Sequence, residues 1–361
     1  MSLEKVGKYA FEVGMYRPPS EGGSFSLLLR FTRNCPWNKC TFCGMYKHEK
    51  FSLRTSEEIT GDIDSIAELI KDMQSLSWEL GYDGQINRDV IIGMIEKEPE
   101  LNTSQGFGMI LNWLSSRGKT AFLQDGNSLM MPSDKLVDVL KYLRSTFPSL
   151  ERCTTYARSK TLSRKSQEEL TGIRKAGLDR LHVGLETGDD ALLKKIKKGV
   201  TREEHVAGGR KAIKAGFQLS EYWMPGLGGK EDWENHAKNT ALVLNGINPH
   251  YIRSRPFSPW VGTPIRDDYE KGALTLLSPR EMLIELKLLI ETLDVTSKVC
   301  FDHAGNYWVN RNGQLLFNQS YEGYKFPEEK PRVLELIEEG IEVQEGRVDL
   351  RRRRERLRVV R

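Results

Sequence analysis

The chain has 361 residues, 39% hydrophobic and 29% charged, the composition of a globular protein with a sizeable core. Basic and acidic residues nearly balance, 54 against 50 for a net charge of +4, which excludes a nucleic-acid surface spread over the whole molecule. No apolar run approaches a membrane span, and the opening MSLEKVGKYAFEVGMY lacks the apolar centre of a signal peptide, so the expected location is the cytoplasm.

Residues 1–23 read as a polar arm containing Gly and Pro. Residues 24–33 are apolar in the middle, as in a strand buried on both faces. From 55 to 98 the spacing turns helical, with Ile59, Ile63, Ile66, Ile70 and Met73 at three- or four-residue intervals, and a further helix is expected at 104–117. Then a regular alternation begins. Strands are expected at 119–124, 150–156, 179–185, 217–223 and 251–255. Helices are expected at 132–146, opened by Ser133 or Asp134, and at 166–176, 189–197, 201–215 and 232–245. The T-R-E-E at 201 fits a capping box. After Pro256 the alternation ends, with helices expected at 279–293 and 331–339 and a short strand at 295–301. Strands alternating with helices predict βα units and a parallel sheet, with ligands at the C-terminal strand ends.

The stretch 27–46, LLLRFTRNCPWNKCTFCGMY, follows the first expected strand and crowds Cys35, Cys40 and Cys43 together. Cys153 and Cys300 lie far away in expected strands and read as buried, inert thiols. Five cysteines so distributed do not make a disulfide framework. Three neighbouring thiolates form a soft donor set for zinc, copper(I) or an iron–sulfur cluster. A zinc knuckle would need a distant fourth ligand such as His48. A reactive-thiol site would need fewer cysteines. An iron–sulfur cube needs four ligands, so three cysteines leave one iron open.

This loop resembles the cluster-binding loop of the radical S-adenosylmethionine superfamily. The usual spacing there is C-x3-C-x2-C with an aromatic residue before the last cysteine, the place of Phe42; this chain is C-x4-C-x2-C, with one extra residue within Pro36-Trp37-Asn38-Lys39. The resemblance covers about 24–255. It implies an α/β fold: a partial (β/α)6 TIM-like barrel over 24–256, with a helical insertion at 56–117 after the first strand. A C-terminal α+β extension would occupy 257–361 and end in a basic tail.

The cofactors so implied are a [4Fe–4S] cluster on Cys35, Cys40 and Cys43, and S-adenosylmethionine chelating the open iron. Reductive cleavage would release a 5′-deoxyadenosyl radical that takes hydrogen from the substrate. Asp125-Gly126-Asn127 occupies the place of the family's Gly-rich motif for the methionine amino group, although D-G alone is also a common turn. Arg158 would pair with the methionine carboxylate, unless it is a solvated surface arginine. Glu186, in G-L-E-T-G, matches the residue for ribose hydroxyls or methionine. Gly226 falls in a loose match to the region near adenine. No G-x-G-x-x-G follows the first strand, which excludes a nicotinamide-binding Rossmann unit.

The motifs Q-D-G-N-S-L and G-L-E-T-G look closest to oxygen-independent coproporphyrinogen dehydrogenases and tRNA-modifying radical enzymes. A small-molecule substrate is the first expectation, with tRNA or peptide modification next. A non-catalytic iron–sulfur or zinc-binding protein is the reading from a different class. The resemblance also implies oxygen sensitivity and an external electron donor such as flavodoxin or ferredoxin. Arg253, Arg255 and Arg266 are candidates to meet a substrate carboxylate or phosphate, and Asp302-His303 with Asn306-Tyr307 to fold over the strand ends. The run Arg351–Arg354, with Arg356, Arg358 and Arg361, is basic enough to touch RNA, but such runs are more often solvated helix ends.

Overall fold

Apolar runs bounded by turn residues give the strands, and amphipathic stretches with side-chain caps give the helices between them. The computed structural model describes residues 7–14 and 25–359, with side chains as far as 346. In chain order the elements are β1 (Leu27–Arg30), β2 (Thr32–Arg33), β3 (Ser52–Leu53), α1 (Ser56–Glu79), α2 (Arg88–Lys97), α3 (Gln105–Ser115), β4 (Thr120–Gln124) and α4 (Ser133–Thr146). Then come β5 (Arg152–Ala157), α5 (Ser159–Arg164), α6 (Gln167–Lys175), β6 (Arg180–Glu186), α7 (Asp190–Lys195), α8 (Arg202–Lys214), β7 (Gln218–Trp223) and α9 (Gly229–Ile247). The chain continues with β8 (Tyr251–Ser254), α10 (Pro264–Glu270), α11 (Pro279–Thr292), β9 (Lys298–Cys300), β10 (Tyr324–Lys325) and α12 (Lys330–Val359). The fold is mixed α/β with mainly parallel strands, as the alternation predicts.

The chain divides into two compact units. One comprises Met1–Pro36, Glu49–Ala157 and Glu168–Arg180; the other comprises Trp37–His48, Arg158–Gln167 and Leu181–Arg361. In the first unit β1, β4 and β5 pair in parallel in that order, with Arg30 opposite Gln124 and Leu123 opposite Thr155. Leu27, Leu29, Ile63, Ile66 and Phe122 are buried in its core. The first strand is shorter than its apolar run suggests. After Phe31 the chain turns, and β2 pairs antiparallel with β3. The insertion is three helices. The Thr55–Glu58 capping box starts α1, whose buried stripe runs through Leu69 rather than Ile70. α4 has no side-chain cap; Ser133 instead donates its hydroxyl to Glu169 at 2.5 Å.

Only residues 7–14 of the expected arm are described. Gly14 exchanges two hydrogen bonds with the Gln124 side chain at 2.8 and 3.2 Å, and Glu12 reaches Arg30 and Arg33. Both ends of that arm lie outside the described residues.

In the second unit β7, β8 and β9 are parallel and β10 closes on β9 antiparallel. The register sets Tyr222, Arg253 and Cys300 side by side, so these three share one face. The expected capping box opens α8 through Thr201 and Glu204, and another opens α11 through Ser278 and Glu281. α9 begins before the expected 232, and bends at Asp232. The last helix is much longer than 331–339, but the arginine run from 351 onward falls outside the described side chains. Among the described residues no helix is long and apolar enough to cross a membrane.

Candidate functional site

In the first unit, Cys35 follows Asn34, which has φ +68°. The amide of Gly126 donates to the Asn34 carbonyl at 3.3 Å. A Cβ at Gly126 would lie 3.1 Å from the Cys35 Cα, so the turn after β4 presses on the cysteine's backbone and only glycine fits without displacement. Asp125 is 3% exposed, and its Oδ2 accepts from Arg30 Nε at 2.6 Å and from the Asn34 amide at 2.9 Å. The structure thus gives Asp125 the work of anchoring the start of the cysteine loop. Asn127 is fully buried and opens a short 3-10 turn, Ser128–Met130. These three turn residues and Cys35 are brought together.

In the second unit, the rest of the loop is pinned on two sides. The Thr41 amide donates to the Ile196 carbonyl at 2.9 Å, and the Ile265 amide donates to the Thr41 carbonyl at 3.2 Å. Lys47 Nζ donates to the Cys40 carbonyl at 2.7 Å. Phe42 is half-buried against Leu192, Ile196, Leu227, Phe257, Ile265 and Leu274, which explains the aromatic residue there by packing. One of the four residues between Cys35 and Cys40 has a seat as well. Trp37 Nε1 donates to the Lys197 carbonyl at 2.7 Å, and its ring fills the space over Gly199, where a Cβ would come within 2.2 Å. Gly199 has φ +72°, and both observations require glycine.

Around Cys40 the second unit gathers Cys43, Arg158, Glu186 and Lys198. Burial pushes the Cys40 thiol up, Cys43 and Glu186 add to that push, and Lys198 and Arg158 oppose it. Lys198 Nζ is 2.7 Å from Glu186 Oε1, with both side chains little exposed. Burial works against the Lys198 charge, but Glu186 and Cys40 outweigh it and raise its pKa. Arg158 donates to the Lys198 carbonyl at 2.7 Å and stacks 4.9 Å over the Trp37 ring; it is not a free surface arginine. Glu186 ends β6 at φ +63°, a backbone conformation that costs a non-glycine residue about 1–3 kcal/mol and concentrates at functional sites.

Lys198 escaped the sequence reading because it stands in a lysine-rich stretch, Lys194-Lys195-Ile196-Lys197-Lys198, that reads as a solvated helix end. α7 stops at Lys195, and Lys197 past its end takes φ +52°, so Lys198 follows a turn rather than continuing the helix. Gly226 lies elsewhere. Its amide donates to Glu285 Oε2 on α11 at 2.5 Å, and burial pushes that carboxyl up to about 8. Glu221 on β7 is buried, and neither of its oxygens has a hydrogen-bond partner among the described residues. Burial raises it well above the usual carboxylate range; Lys198 lowers it and Glu186 raises it further. Cys153 and Cys300 are buried thiols, each pushed by burial to about 12.

Among the described residues no three His, Cys, Asp or Glu side chains are gathered tightly enough to hold a metal ion as they stand. The chemistry of the donor set nevertheless fits a soft metal centre. Cys40 and Cys43 share a half-buried niche with two cations, and cations favour the thiolate forms that bind metal.

The chain is 28% identical over 109 residues to an uncharacterized protein of Methanocaldococcus jannaschii, a match covering 30% of this chain and 28% of that relative. It therefore spans less than a third of that protein's length. Among solved structures it is similar to methylornithine synthase, with 17% identity, a TM-score of 0.43 and coverage of 77% of this chain and 67% of the other. It is also similar to coproporphyrinogen III oxidase from Escherichia coli, described as a radical SAM enzyme, with 14% identity, a TM-score of 0.44 and coverage of 74% and 51%. The sequence pattern of the radical SAM superfamily matches residues 29–239, more than half of the chain. That stretch contains the cysteine loop, the 125–127 turn, Arg158, Glu186 and Lys198, and the chain belongs to the radical SAM superfamily, whose cofactors are a [4Fe–4S] cluster and S-adenosylmethionine.

Proposed function

We propose that this protein is a radical SAM enzyme acting on a small molecule. The observation that carries the reading is the niche of Cys40, Cys43, Arg158, Glu186 and Lys198. Cys35, Cys40 and Cys43 would hold three irons of the cluster. When bound, the reduced cluster supplies an electron that cleaves S-adenosylmethionine and yields a 5′-deoxyadenosyl radical able to take a hydrogen atom from a substrate. The chain's own residues position and shield. Lys198, held in place by Glu186, and Arg158 offer two cations to the methionine carboxylate. Asp125 and Gly126 fix the backbone of Cys35. Phe42 and Trp37 cover the loop with apolar surface and limit water.

An external electron donor such as flavodoxin or ferredoxin completes the reading. Trp37, Lys39, Lys160, Lys194 and Lys197 line a cavity of about 530 Å³, and this basic rim beside the cluster loop complements an acidic redox protein. The test is anaerobic reconstitution with iron and sulfide, then incubation with S-adenosylmethionine and dithionite. The wild type is expected to release 5′-deoxyadenosine and Cys40→Ala to fall to background. Equal release from both would overturn the cluster assignment.

A further inference from the structure

The second unit holds a buried excess of positive charge that the cluster niche does not use. Arg253, on β8, is 0% exposed. Its Nε donates to Ser220 Oγ at 3.1 Å. Nη1 and Nη2 have no hydrogen-bond partner among the described residues, although Nη1 lies 3.1 Å from Asp302 Oδ1. The same Oδ1 is 3.4 Å from Nη1 of Arg255, which is 15% exposed. Two guanidinium groups therefore share one carboxylate.

Among the described residues, the other titratable groups beside the pair do not supply the missing negative charge. The Cys300 thiol, pushed by burial to about 12, is neutral at physiological pH. Burial and Arg255 lower the pKa of His303, against a smaller opposing pull from Asp302. Glu322 is paired with Lys298. Two buried guanidinium groups with one carboxylate between them leave lost hydration only partly repaid, and that cost is relieved when a second anion arrives.

The geometry narrows the anion. The Tyr321 ring centroid lies 4.0 Å and the Tyr251 centroid 5.0 Å from the Arg253 guanidinium carbon; its Nη1/Nη2 edge is shielded from water and meets Asp302, which an arriving anion would displace. That edge is a planar two-donor fork, the match for two carboxylate oxygens. Arg255 lies over the Tyr222 ring at 4.6 Å, on the same side of the strands. The loop after β9 is fastened here: the Ser254 hydroxyl bonds Asn306 Oδ1 at 2.8 Å, and Asn306 Nδ2 donates to the Ser254 carbonyl at 3.2 Å. Asp302 is thus held by a fixed loop beside the C-terminal end of β8.

We infer that Arg253 and Arg255 bind a carboxylate group of the substrate, which takes the place of Asp302 on their donors. This rests on the reading of the chain as an enzyme acting on a small molecule. One uncompensated positive charge suits a monoanionic carboxylate better than a phosphate dianion. Arg266, named beside these two in the sequence, is different: it pairs with Glu270 at 2.6 Å and lies near Tyr269 on an exposed helix.

The test is isothermal titration of the full-length protein with acetate, benzoate and inorganic phosphate, without S-adenosylmethionine or reductant. Carboxylate binding can then fail while 5′-deoxyadenosine release succeeds, and the reverse. Benzoate and acetate are expected to bind the wild type. Arg253→Lys, which keeps the charge but loses the fork, and Arg255→Gln are each expected to weaken binding at least ten-fold. Arg266→Gln should leave it unchanged. If Arg253→Lys does not fold, Asp302→Asn decides: removing the internal competitor should tighten benzoate binding several-fold. Absence of carboxylate binding, equal affinity in the arginine variants and the wild type, no tightening by Asp302→Asn, or tighter binding of phosphate than of either carboxylate would each overturn the inference.

Discussion

Two networks, one in each unit, treat buried charge in opposite ways. In the first, the guanidinium groups of Arg30, Arg33 and Arg54 meet the carboxylates of Glu12, Glu58, Asp62 and Asp125 at 2.6–3.4 Å, and each arginine has at least one carboxylate of its own. In the second, Arg253 and Arg255 share Asp302, while burial raises the buried acids Glu221 and Glu285, and neither Glu221 oxygen has a hydrogen-bond partner among the described residues. A matched network holds backbone in place: here it ties residues 12, 30, 33, 54 and 125 around the start of the cysteine loop. An unmatched one carries a standing desolvation cost and marks where a ligand belongs. The contrast separates residues that build the site from residues that wait for something to enter it.

The largest expected effect breaks the matched side. Arg54 and Asp62 are both 1% exposed in their side chains, so Arg54→Met strands buried carboxylates and should cost about 3–5 kcal/mol, read as a lower denaturation midpoint. Arg253→Met removes a charge with no full partner, and the ligand-free protein should be as stable as wild type or more so. Equal losses in the two variants would erase the contrast.

Gly126→Ala comes next. The added methyl meets the Cys35 backbone, so overpacking of about 1–3 kcal/mol is expected, together with less iron bound per chain after reconstitution.

Glu285 tests the second unit by pH. Its folded pKa of about 8 lies above the ordinary 4.5 because of burial. The folded form therefore holds a proton that the unfolded chain has lost between those values. This stability is fully present below about 4.5 and is lost as pH rises through about 8. Glu285→Gln keeps an acceptor for the Gly226 amide. Its melting temperature should exceed that of wild type at pH 8, with the difference shrinking toward pH 5.

The smallest effect concerns Cys153 and Cys300. In the native apo-protein, iodoacetamide should label the half-exposed Cys35 and Cys43, label Cys40 more slowly because burial raises its thiol, and leave these two buried thiols unmodified. Rapid labelling of either would contradict their burial.

Much of this was legible in the sequence, for identifiable reasons. The alternation of strands and helices follows from apolar runs and from capping residues such as Thr201 and Ser278, which are local signals. The cysteine loop and the strand-end residues Asp125, Arg158 and Glu186 could be named because the chemistry at a strand end is carried by one or two residues in sequence. What was hidden depends on tertiary environment. Lys198 looks like its lysine neighbours until the turn past α7 brings it to Glu186. Trp37, one of the four residues between Cys35 and Cys40, is explained only by the space above Gly199. Phe31 belongs to an apolar run, and nothing local says that β1 stops before it so that β2 can pair with β3. The matched and unmatched charge networks are invisible in composition, since a net charge of +4 says nothing about which charges are buried together.

The central claim is a cluster with one iron open to S-adenosylmethionine beside Lys198, Arg158 and Glu186. Its most direct test is the electron paramagnetic resonance spectrum of the anaerobically reconstituted, dithionite-reduced protein, recorded before and after adding S-adenosylmethionine. A reduced [4Fe–4S] signal whose g values shift on addition is the predicted result, with the shift weakened in Lys198→Ala. A spectrum that S-adenosylmethionine leaves unchanged in the wild type, or a protein that takes up zinc and no cluster, would contradict it.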